Sequence, residues 1–274
     1  MLAHLEALFQ KVRQAVTKRV EKGSGGEGVA PESVNPKGDQ VKWFDLVADQ
    51  EIGAYFKEQF PSSVRLFSEE SDVRNIGKAP PEFTVVVDPV DGSENFARQV
   101  SPSGMAVALI PAGAPINVAS VQFALVGDFF TGTIWQAERG KGAVRNGNPI
   151  GTGSVVRLKE AIIGCELDHS AMAGPMLSVL SEVLRVRAFG CAALALSMVG
   201  AGSLDAYLDV RGRLTPENFL ASSLILTEAG GVITDPEGKA LPAISSLTER
   251  YNILAARTPG LHAELIQKMK RKGG

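Results

Sequence analysis

The chain has 274 residues, of which 45% are hydrophobic, and its 28 basic side chains nearly balance its 30 acidic ones. This size and apolar content are typical of a globular protein, and the balanced charge argues against a main role in binding nucleic acid. Two cysteines are too few for a disulfide framework, and no apolar run reaches the ~18 residues of a membrane span. We therefore expect a cytoplasmic protein with neither a nucleic acid nor a membrane as partner.

Hydrophobic periodicity predicts two helices at the start of the chain, followed by an antiparallel sheet. Apolar residues recur every three or four positions over residues 2–20 and again over 45–60, as in amphipathic helices. Between them, the segment 23–39 is rich in Gly, Ser and Pro, which favours a flexible linker but also allows a mobile lid. The runs typical of strands are 64–67, 83–87, 105–110, 118–124 and 131–135.

The second half of the chain alternates between strand and helix patterns. The predicted strands are 161–165, 186–189, 206–210 and 232–234, and the predicted helices are 175–184, 191–200 and 216–229. We place a domain boundary near residue 152, which divides the chain into 1–152 and 153–274. The expected fold class is α/β in the α+β sense, with an antiparallel sheet in the first half and a mixed αβα unit in the second.

Several carboxylates stand at the ends of predicted elements. Asp88 and Asp91 lie three positions apart at the end of a strand, and Glu69 and Asp45 also lie at element ends. Carboxylates this close repel one another unless a cation lies between them, and hard oxygen ligands suit Mg²⁺. The turn can aim both aspartates and the Val90 carbonyl at one point. The pattern therefore predicts a metal site, and the alternative is a solvated surface turn.

A phosphate site is predicted beside the metal site. Gly92 and Ser93 follow the aspartates directly and begin a short helical turn. Backbone N–H groups at a helix start, next to a glycine, bind anions. Metal and phosphate sites are therefore expected to be adjacent.

Five segments carry motifs that occur together in one order. Residues 86–96 read Val-Val-Asp-Pro-Val-Asp-Gly-Ser-Glu-Asn-Phe. The others are Ser-Glu-Glu-Ser at 68–71, Gly-Lys-Gly-Ala-Val-Arg-Asn-Gly at 140–147, Gly-Cys-Ala-Ala at 190–193 and Thr-Glu-Ala-Gly-Gly at 227–231. The series resembles the inositol monophosphatase-like, lithium-sensitive sugar phosphatases. Residues 38–45, Gly-Asp-Gln-Val-Lys-Trp-Phe-Asp, resemble the archaeal branch, which often hydrolyses both inositol 1-phosphate and fructose 1,6-bisphosphate.

The resemblance implies a layered αβαβα fold and a Mg²⁺-dependent phosphatase. In the family pattern, Glu69, Asp88 and the Val90 carbonyl would hold a first Mg²⁺. Asp88 and Asp91 would hold much of a second, together with Asn218. The resemblance also implies that segment 23–39 folds over the site, which favours a lid over a linker.

Catalytic and substrate-binding roles follow from the same resemblance. Asp45 and Ser93, with Glu69, would orient and deprotonate the water that attacks phosphorus in line. Arg211 would meet a second phosphate, although an Asp-x-Arg at a strand end is as often a plain ion pair. The substrate-binding residues implied are Gly92, Ser93, Gly190, Cys191, Asp209, Arg211 and Lys42.

One residue departs from the family pattern. The Trp-Asp that usually precedes the Ala-rich helix falls on Glu217 and Asn218, so that a charged ligand of the second metal becomes a carboxamide. Asn218 could bind the metal weakly, Glu217 could replace it, or the site could be impaired. Neighbouring residues on a helix point about 100° apart, which argues against Glu217. We favour catalysis with a weakened second Mg²⁺.

These inferences predict hydrolysis of a phosphate monoester, most simply inositol 1-phosphate, fructose 1,6-bisphosphate or both. One alternative is a nucleotide phosphatase of the 3′-phosphoadenosine 5′-phosphate type. The other is a phosphate-binding or regulatory homologue with an impaired second metal site. The expected ligand is a small phosphorylated polyol or sugar, and the resemblance implies a homodimer.

Overall fold

The computed structural model describes residues 1–21, 33–34, 40–151, 153–154, 157–168 and 174–270. Apart from residues 33–34, the segment interpreted as a lid lies outside the described residues. The helices of the described part are α1 (Leu2–Glu21), α2 (Trp43–Glu58), α3 (Ser93–Ala97), α4 (Gly174–Leu180), α5 (Ala192–Gly200), α6 (Leu220–Glu228) and α7 (Pro259–Lys270). The strands are β1 (Ser33–Val34), β2 (Gln40–Val41), β3 (Val64–Ser68), β4 (Arg74–Ile76), β5 (Phe83–Asp91), β6 (Gly104–Pro111), β7 (Phe123–Asp128), β8 (Ile134–Glu138), β9 (Ala143–Arg145), β10 (Asn148–Ile150), β11 (Ile162–Cys165), β12 (Arg185–Arg187), β13 (Ala206–Leu214), β14 (Val232–Thr234) and β15 (Tyr251–Ala256).

The first half of the chain forms an eight-stranded sheet in the order β10-β9-β8-β7-β6-β5-β3-β4. From β5 onward it is the predicted antiparallel meander. One pair differs from the prediction, because β3 and β5 run parallel. The short strand β4 pairs with β3 at the sheet edge, and the chain then crosses β3 to enter β5 on its other side.

A five-stranded sheet occupies the second half, in the order β12-β11-β13-β15-β14. Strand β11 is parallel to both β12 and β13, whereas β15 is antiparallel to its neighbours β13 and β14. The mixed sheet confirms the predicted fold class. Strand β15 has no counterpart among the predicted strands.

Strand β5 shows how the layers are arranged. Val85 and Val87 pack with α1 and α2, while Val86, on the opposite face, packs with α5 and α6. Beyond α5 and α6 lies the five-stranded sheet, whose outer face is covered by α4 and α7. Alternate side chains of a strand point to opposite faces, so a strand covered on both sides is apolar throughout. The layers read α, β, α, β, α, as the family resemblance implies.

Two predicted strands begin later than expected because side chains bind the backbone locally. The Asn117 side chain accepts the Ser120 N–H at 2.8 Å and starts a 3₁₀ turn in place of a strand. The Asp128 carboxylate accepts the Phe130 N–H at 2.9 Å and the Thr131 hydroxyl at 2.8 Å, so the chain turns there. Such bonds offer the backbone an alternative to a sheet ladder.

The predicted helix 216–229 is divided. Residues Pro216–Asn218 form a 3₁₀ turn, Phe219 breaks the pattern, and α6 then begins at Leu220. Phe219 is fully buried, and its carbonyl accepts the Ser223 hydroxyl at 2.7 Å. Asn218 is thus placed before α6 and not on it.

The domain boundary proposed near residue 152 falls between the last strand of the larger sheet and the first strand of the smaller one. Helices α5 and α6 pack on both sheets in one hydrophobic core. Within the described ranges, no helix is long and apolar enough to cross a membrane.

Candidate active site

A cavity of about 800 Å³ opens where the end of β5, the start of α3 and the start of α5 meet. Of the residues singled out from the sequence, those that line it are Lys42, Glu69, Asp88, Val90, Asp91, Gly92, Ser93, Gly190, Cys191, Arg211 and Asn218. Asp45 and Asp209 are not part of its surface and lie buried at 1% and 0% exposure. The fold thus brings the predicted set together from both halves of the chain.

Asp45 and Ser93 form a hydrogen-bonded pair beside the cavity. The Ser93 hydroxyl lies 2.9 Å from Asp45 Oδ1 and 3.0 Å from the Val90 carbonyl oxygen. Asp45 stands in the first turn of α2, and its Oδ2 accepts the Lys42 N–H at 2.8 Å. Burial raises the pKa of Asp45 to about 6. The pair can therefore accept a proton near neutral pH.

The backbone N–H of Lys42 donates to Asp45, whereas its side chain forms an ion pair with a different residue. The ammonium group lies 2.5 Å from a carboxylate oxygen of Glu94, at the start of α3. The hydrogen bond from Lys42 lowers the pKa of Glu94. The pair ties the start of α2 to the start of α3, on which Ser93 lies.

The two site glycines both adopt left-handed backbone conformations. Gly92 has φ of 80° and Gly190 has φ of 64°, values that L side chains rarely adopt. A Cβ atom on Gly92 would lie 3.1 Å from the Gly190 carbonyl oxygen. Asn95 fixes this approach, because its amide donates to the Phe189 carbonyl at 2.6 Å and to the Pro102 carbonyl at 2.8 Å.

Asp91 caps a helix from the other half of the chain. Its Oδ2 accepts the Ala193 N–H at 2.8 Å, the Leu194 N–H at 3.2 Å and the Cys191 thiol at 3.0 Å. These backbone donors are the second and third residues of α5, the positions that an N-cap side chain normally serves. Burial still raises the pKa of Asp91 to about 6. Burial also raises the pKa of Cys191, which keeps the thiol protonated as a donor.

Asn218 faces Asp88 with its amide N–H₂ group. Nδ2 of Asn218 donates to Asp88 Oδ2 at 3.1 Å, and Oδ1 accepts the Thr215 N–H at 3.0 Å. A backbone N–H can only donate, so this contact fixes which end of the amide points toward Asp88. Glu217 is buried, and its carboxylate accepts the Thr215 hydroxyl. It is not part of the cavity surface.

The donor set around Glu69 and Asp88 fits Mg²⁺. Glu69, Asp88 and the Val90 carbonyl offer the hard oxygens that Mg²⁺ prefers, and the charge of Glu69 adds to the raised pKa of Asp45. A cation would compensate this buried negative charge. Within the described ranges no three His, Cys, Asp or Glu side chains gather closely enough to hold a metal as they stand. At residue 218 the cavity presents N–H groups, which are not metal ligands.

Arg211 is held in the cavity wall by two carboxylates. Its guanidinium lies 2.6 Å from Asp209 Oδ2, with a second bond to Oδ1 at 3.0 Å, and 2.5 Å from Asp168. Only 10% of its side chain is exposed. The structure therefore places the predicted Asp-x-Arg as an ion pair, the alternative considered from the sequence.

Sequence reasoning missed four charged residues of the cavity surface, which are Glu166, Asp168, Arg213 and Arg250. Glu166 accepts the Gly190 N–H at 3.0 Å, and burial raises its pKa to about 7. It directly follows β11, and side chains just beyond the carboxyl ends of parallel strands often form sites. The parallel pairing of β11 with β12 and β13 shows that Glu166 lies at the carboxyl end of such a strand.

Buried carboxylates, a hydroxyl paired with one of them and a glycine turn at a helix start together define a metal-dependent hydrolase of phosphate monoesters. The chain belongs to the inositol monophosphatase family, whose family model matches residues 1–273.

Curated relatives and solved structures agree with this assignment. The chain is 32% identical over 245 residues to the fructose-1,6-bisphosphatase/inositol-1-monophosphatase of Thermococcus kodakarensis, covering 89% of this chain and 88% of that protein. It is 30% identical over 268 residues to the protein of the same name from Methanothermobacter thermautotrophicus, covering 96% and 94%. A crystal structure described as an inositol monophosphatase–fructose 1,6 bisphosphatase superposes with a TM-score of 0.83 at 25% identity, covering 97% and 98%.

Proposed function

We propose that this phosphatase hydrolyses inositol 1-phosphate and fructose 1,6-bisphosphate with Mg²⁺ as its cofactor. The names of the relatives from Thermococcus and Methanothermobacter support this substrate class. The observation that carries the proposal is the Ser93–Asp45 pair, which lies directly beside the carboxylates and the Gly92 turn. Water activation and phosphate binding therefore have their residues at one end of the cavity.

The residues divide the reaction as follows. The backbone N–H groups of Gly92 and Ser93 bind the phosphate, which orients phosphorus toward the Ser93 hydroxyl. Ser93 orients the attacking water, and Asp45 accepts the proton through the hydroxyl that it already binds. When bound, Mg²⁺ would be held by Glu69, Asp88 and the Val90 carbonyl, and would stabilise negative charge on the phosphate oxygens and the leaving group.

We infer that a second Mg²⁺ binds weakly in this chain. The Asp88 oxygen that faces residue 218 already accepts an N–H from Asn218, and Asp91 Oδ2 is occupied by α5. Binding a cation there would require the Asn218 amide to turn and break its bond with Thr215. Catalysis would then reach its maximum only at high Mg²⁺ concentration.

Release of inorganic phosphate from a panel of esters, measured across a Mg²⁺ titration, tests the function. The panel contains inositol 1-phosphate, fructose 1,6-bisphosphate and adenosine 3′,5′-bisphosphate. Turnover of the first two above the third supports the proposal, and preference for the third identifies a nucleotide phosphatase. Background release from every ester at all Mg²⁺ concentrations would mean a phosphate-binding or regulatory homologue.

A cytoplasmic location and a homodimer complete the proposal. The small number of cysteines supports a reducing compartment, and the family resemblance supports the dimer. Light scattering of the purified protein measures its mass in solution, and a monomer would contradict the dimer.

A further inference from the structure

Two arginines on the cavity surface have no part in the chemistry proposed above. Arg213, on β13, and Arg250, directly before β15, both line the cavity, and both side chains are exposed. A terminal N–H of Arg250 lies 3.4 Å from the Arg213 carbonyl oxygen, which holds Arg250 against the end of β13. We call this pair the mouth arginines, since both are exposed, whereas the carboxylates Asp88 and Asp91 of the same cavity are buried.

The charges of the mouth arginines are available to a ligand, unlike those of the other cations on the cavity surface. Lys42 is paired with Glu94 at 2.5 Å, and Arg211 is paired with Asp209 and Asp168. Among the residues that the structure describes, the mouth arginines have no carboxylate within ion-pair distance.

The acidic residue next to Arg250 is engaged elsewhere. Glu249 accepts the Tyr251 hydroxyl at 2.5 Å and the Ser245 N–H at 3.3 Å. The hydrogen bonds from the Ser245 and Tyr251 hydroxyls lower the pKa of Glu249 and hold its carboxylate against those two residues. The two exposed arginines therefore bring positive charge to a cavity whose buried lining includes Asp88 and Asp91.

We propose that the mouth arginines form an anion subsite that binds the second phosphate of a substrate carrying two phosphate groups. One guanidinium group can bind two phosphate oxygens at once, and two such groups lining the same cavity suit a dianion. A cavity of about 800 Å³ has room for a ligand with a phosphate at each end. The inference rests on the proposed function, because the first phosphate must occupy the Gly92 turn.

The subsite separates two substrate types within the same enzyme. A monophosphate gains nothing from the mouth arginines, whereas a sugar bisphosphate gains a contact at its far end. A nucleotide with two phosphates shares this chemistry, so the experiment includes one. Arg211 is not needed for this contact, since its hydrogen bonds are already used within the wall.

The test measures the ratio of kcat/KM for fructose 1,6-bisphosphate to kcat/KM for inositol 1-phosphate. The double variant Arg213→Ala, Arg250→Ala is expected to lower this ratio about tenfold or more, through a higher KM for the bisphosphate. Rising salt is expected to lower the ratio in the wild type and to have less effect in the double variant. Arg145→Ala removes an exposed arginine on β9, outside the cavity surface, and serves as the matched control.

Equal losses on both substrates, or a ratio that does not move, would overturn the subsite. A parallel loss on adenosine 3′,5′-bisphosphate would show that the subsite accepts nucleotides, and no loss would restrict it to sugars. If the wild type hydrolyses none of these esters, the proposed function fails. In that case calorimetric binding of fructose 1,6-bisphosphate in Mg²⁺ buffer decides the subsite, with weaker binding by the double variant supporting it and equal binding overturning it.

Discussion

At the scale of single residues, the proton transfer depends on a hydroxyl that touches two oxygens. Ser93 Oγ lies between Asp45 Oδ1 and the Val90 carbonyl, at 2.9 and 3.0 Å. Burial raises the pKa of Asp45 to about 6, and the Lys42 N–H and the Ser93 hydroxyl partly counter that rise. An acid of this kind changes its charge within the pH range in which the enzyme would work.

We expect Ser93→Ala and Asp45→Asn each to lower kcat by about 10²- to 10⁴-fold, the usual contribution of a positioned proton acceptor. In the wild type, kcat/KM should rise with pH along an acidic limb that ends at or below about pH 6, because Asp45 accepts a proton only after losing its own. Bound Mg²⁺ favours the carboxylate and moves this rise to lower pH. Initial rates from pH 4.5 to 8 measure the profile.

Ser93→Thr is the control for this pair, because it keeps the hydroxyl at the same position on α3. It should retain most of the activity and the acidic limb of the profile. Wild-type rates in Ser93→Ala, or an unchanged acidic limb in Asp45→Asn, would contradict the assigned roles.

Asn218 is the second residue whose chemistry can be tested alone. We expect Asn218→Asp to replace the N–H donated to Asp88 by a carboxylate and to lower the Mg²⁺ concentration that gives half-maximal activity by about tenfold. The number of Mn²⁺ ions bound per chain, counted by electron paramagnetic resonance, should increase as well. This count does not depend on turnover.

Asn148→Asp adds the same charge on the edge strand β10 and serves as the control. Identical ion counts and Mg²⁺ dependence in Asn218→Asp and the wild type would show that residue 218 is not at a metal site.

At the scale of elements, two motifs of the family pattern bind each other through hydrogen bonds. Glu228, the last residue of α6, accepts the Gly140 N–H and the Gly142 N–H with its two oxygens, each at 2.9 Å. Both glycines lie in the turn between β8 and β9 and have φ near 80°. The glycine motif and the Glu-Ala-Gly-Gly motif therefore form one contact between the larger sheet and α6.

We expect Glu228→Gln to lower the free energy of unfolding by about 1 kcal/mol, because one charge-assisted acceptor becomes a donor. Kinetic constants should change little, since Glu228 is not part of the cavity surface. Urea unfolding measures the first effect, and faster amide exchange at Gly140 and Gly142 locates it. Glu237→Gln, an exposed glutamate after β14, is the control. An equal loss in both variants would contradict this role.

Local patterns predicted most of the elements, and the contacts between distant segments account for what they missed. The β5 segment is β-branched and apolar because it is covered on both faces. The sequence alone therefore predicted both this strand and the acidic residues at its end. The parallel pairing of β3 with β5 depends on the position of β4 in the sheet. Hydrophobic periodicity gives no information on that position. Likewise, the division of the helix at Phe219 arises from Phe219's burial and the Ser223 bond to its carbonyl.

The candidate site divides in the same way. The motifs identified the carboxylates, the glycines and Asn218, because each belongs to a contiguous signature. They gave neither the contact of the Asn218 amide with Asp88 nor that of Arg211 with Asp168, since both partners lie in other segments of the chain. Glu166 carries no motif at all, and only the parallel strands reveal its place at the cavity.

At the scale of the whole molecule, buried acids link stability to pH. Burial raises the pKa values of Asp45 and Asp91 to about 6 and that of Glu166 to about 7. Between the unfolded values near 4 and these folded values, the folded protein binds more protons than the unfolded chain. In the metal-free protein, these three groups therefore lower the free energy of unfolding as pH rises through this range.

Glu166→Gln should remove part of this decrease. The glutamine oxygen can still accept the Gly190 N–H, and no buried charge forms when pH rises. Near pH 8, in the presence of a chelator, the variant should be more stable than the wild type by on the order of 2–3 kcal/mol, and near pH 4.5 the two should be similar. Urea unfolding at both pH values measures the difference.

The exposed Glu58→Gln on α2 is the control, and it should follow the wild type at both pH values. A Glu166→Gln variant that is equally or less stable at pH 8 would contradict a buried charge at this position.

Because Asp91 binds the start of α5, two backbone amides of that helix can report on events at the Asp91 carboxylate. The Ala193 and Leu194 protons point at the same carboxylate oxygen, more than 100 residues away in the chain. A proton or a cation arriving at Asp91 withdraws electron density from that oxygen. The amide resonances of Ala193 and Leu194 should therefore shift as the acidic end of the cavity fills. Ligand binding could be followed by nuclear magnetic resonance at residues that never touch the ligand.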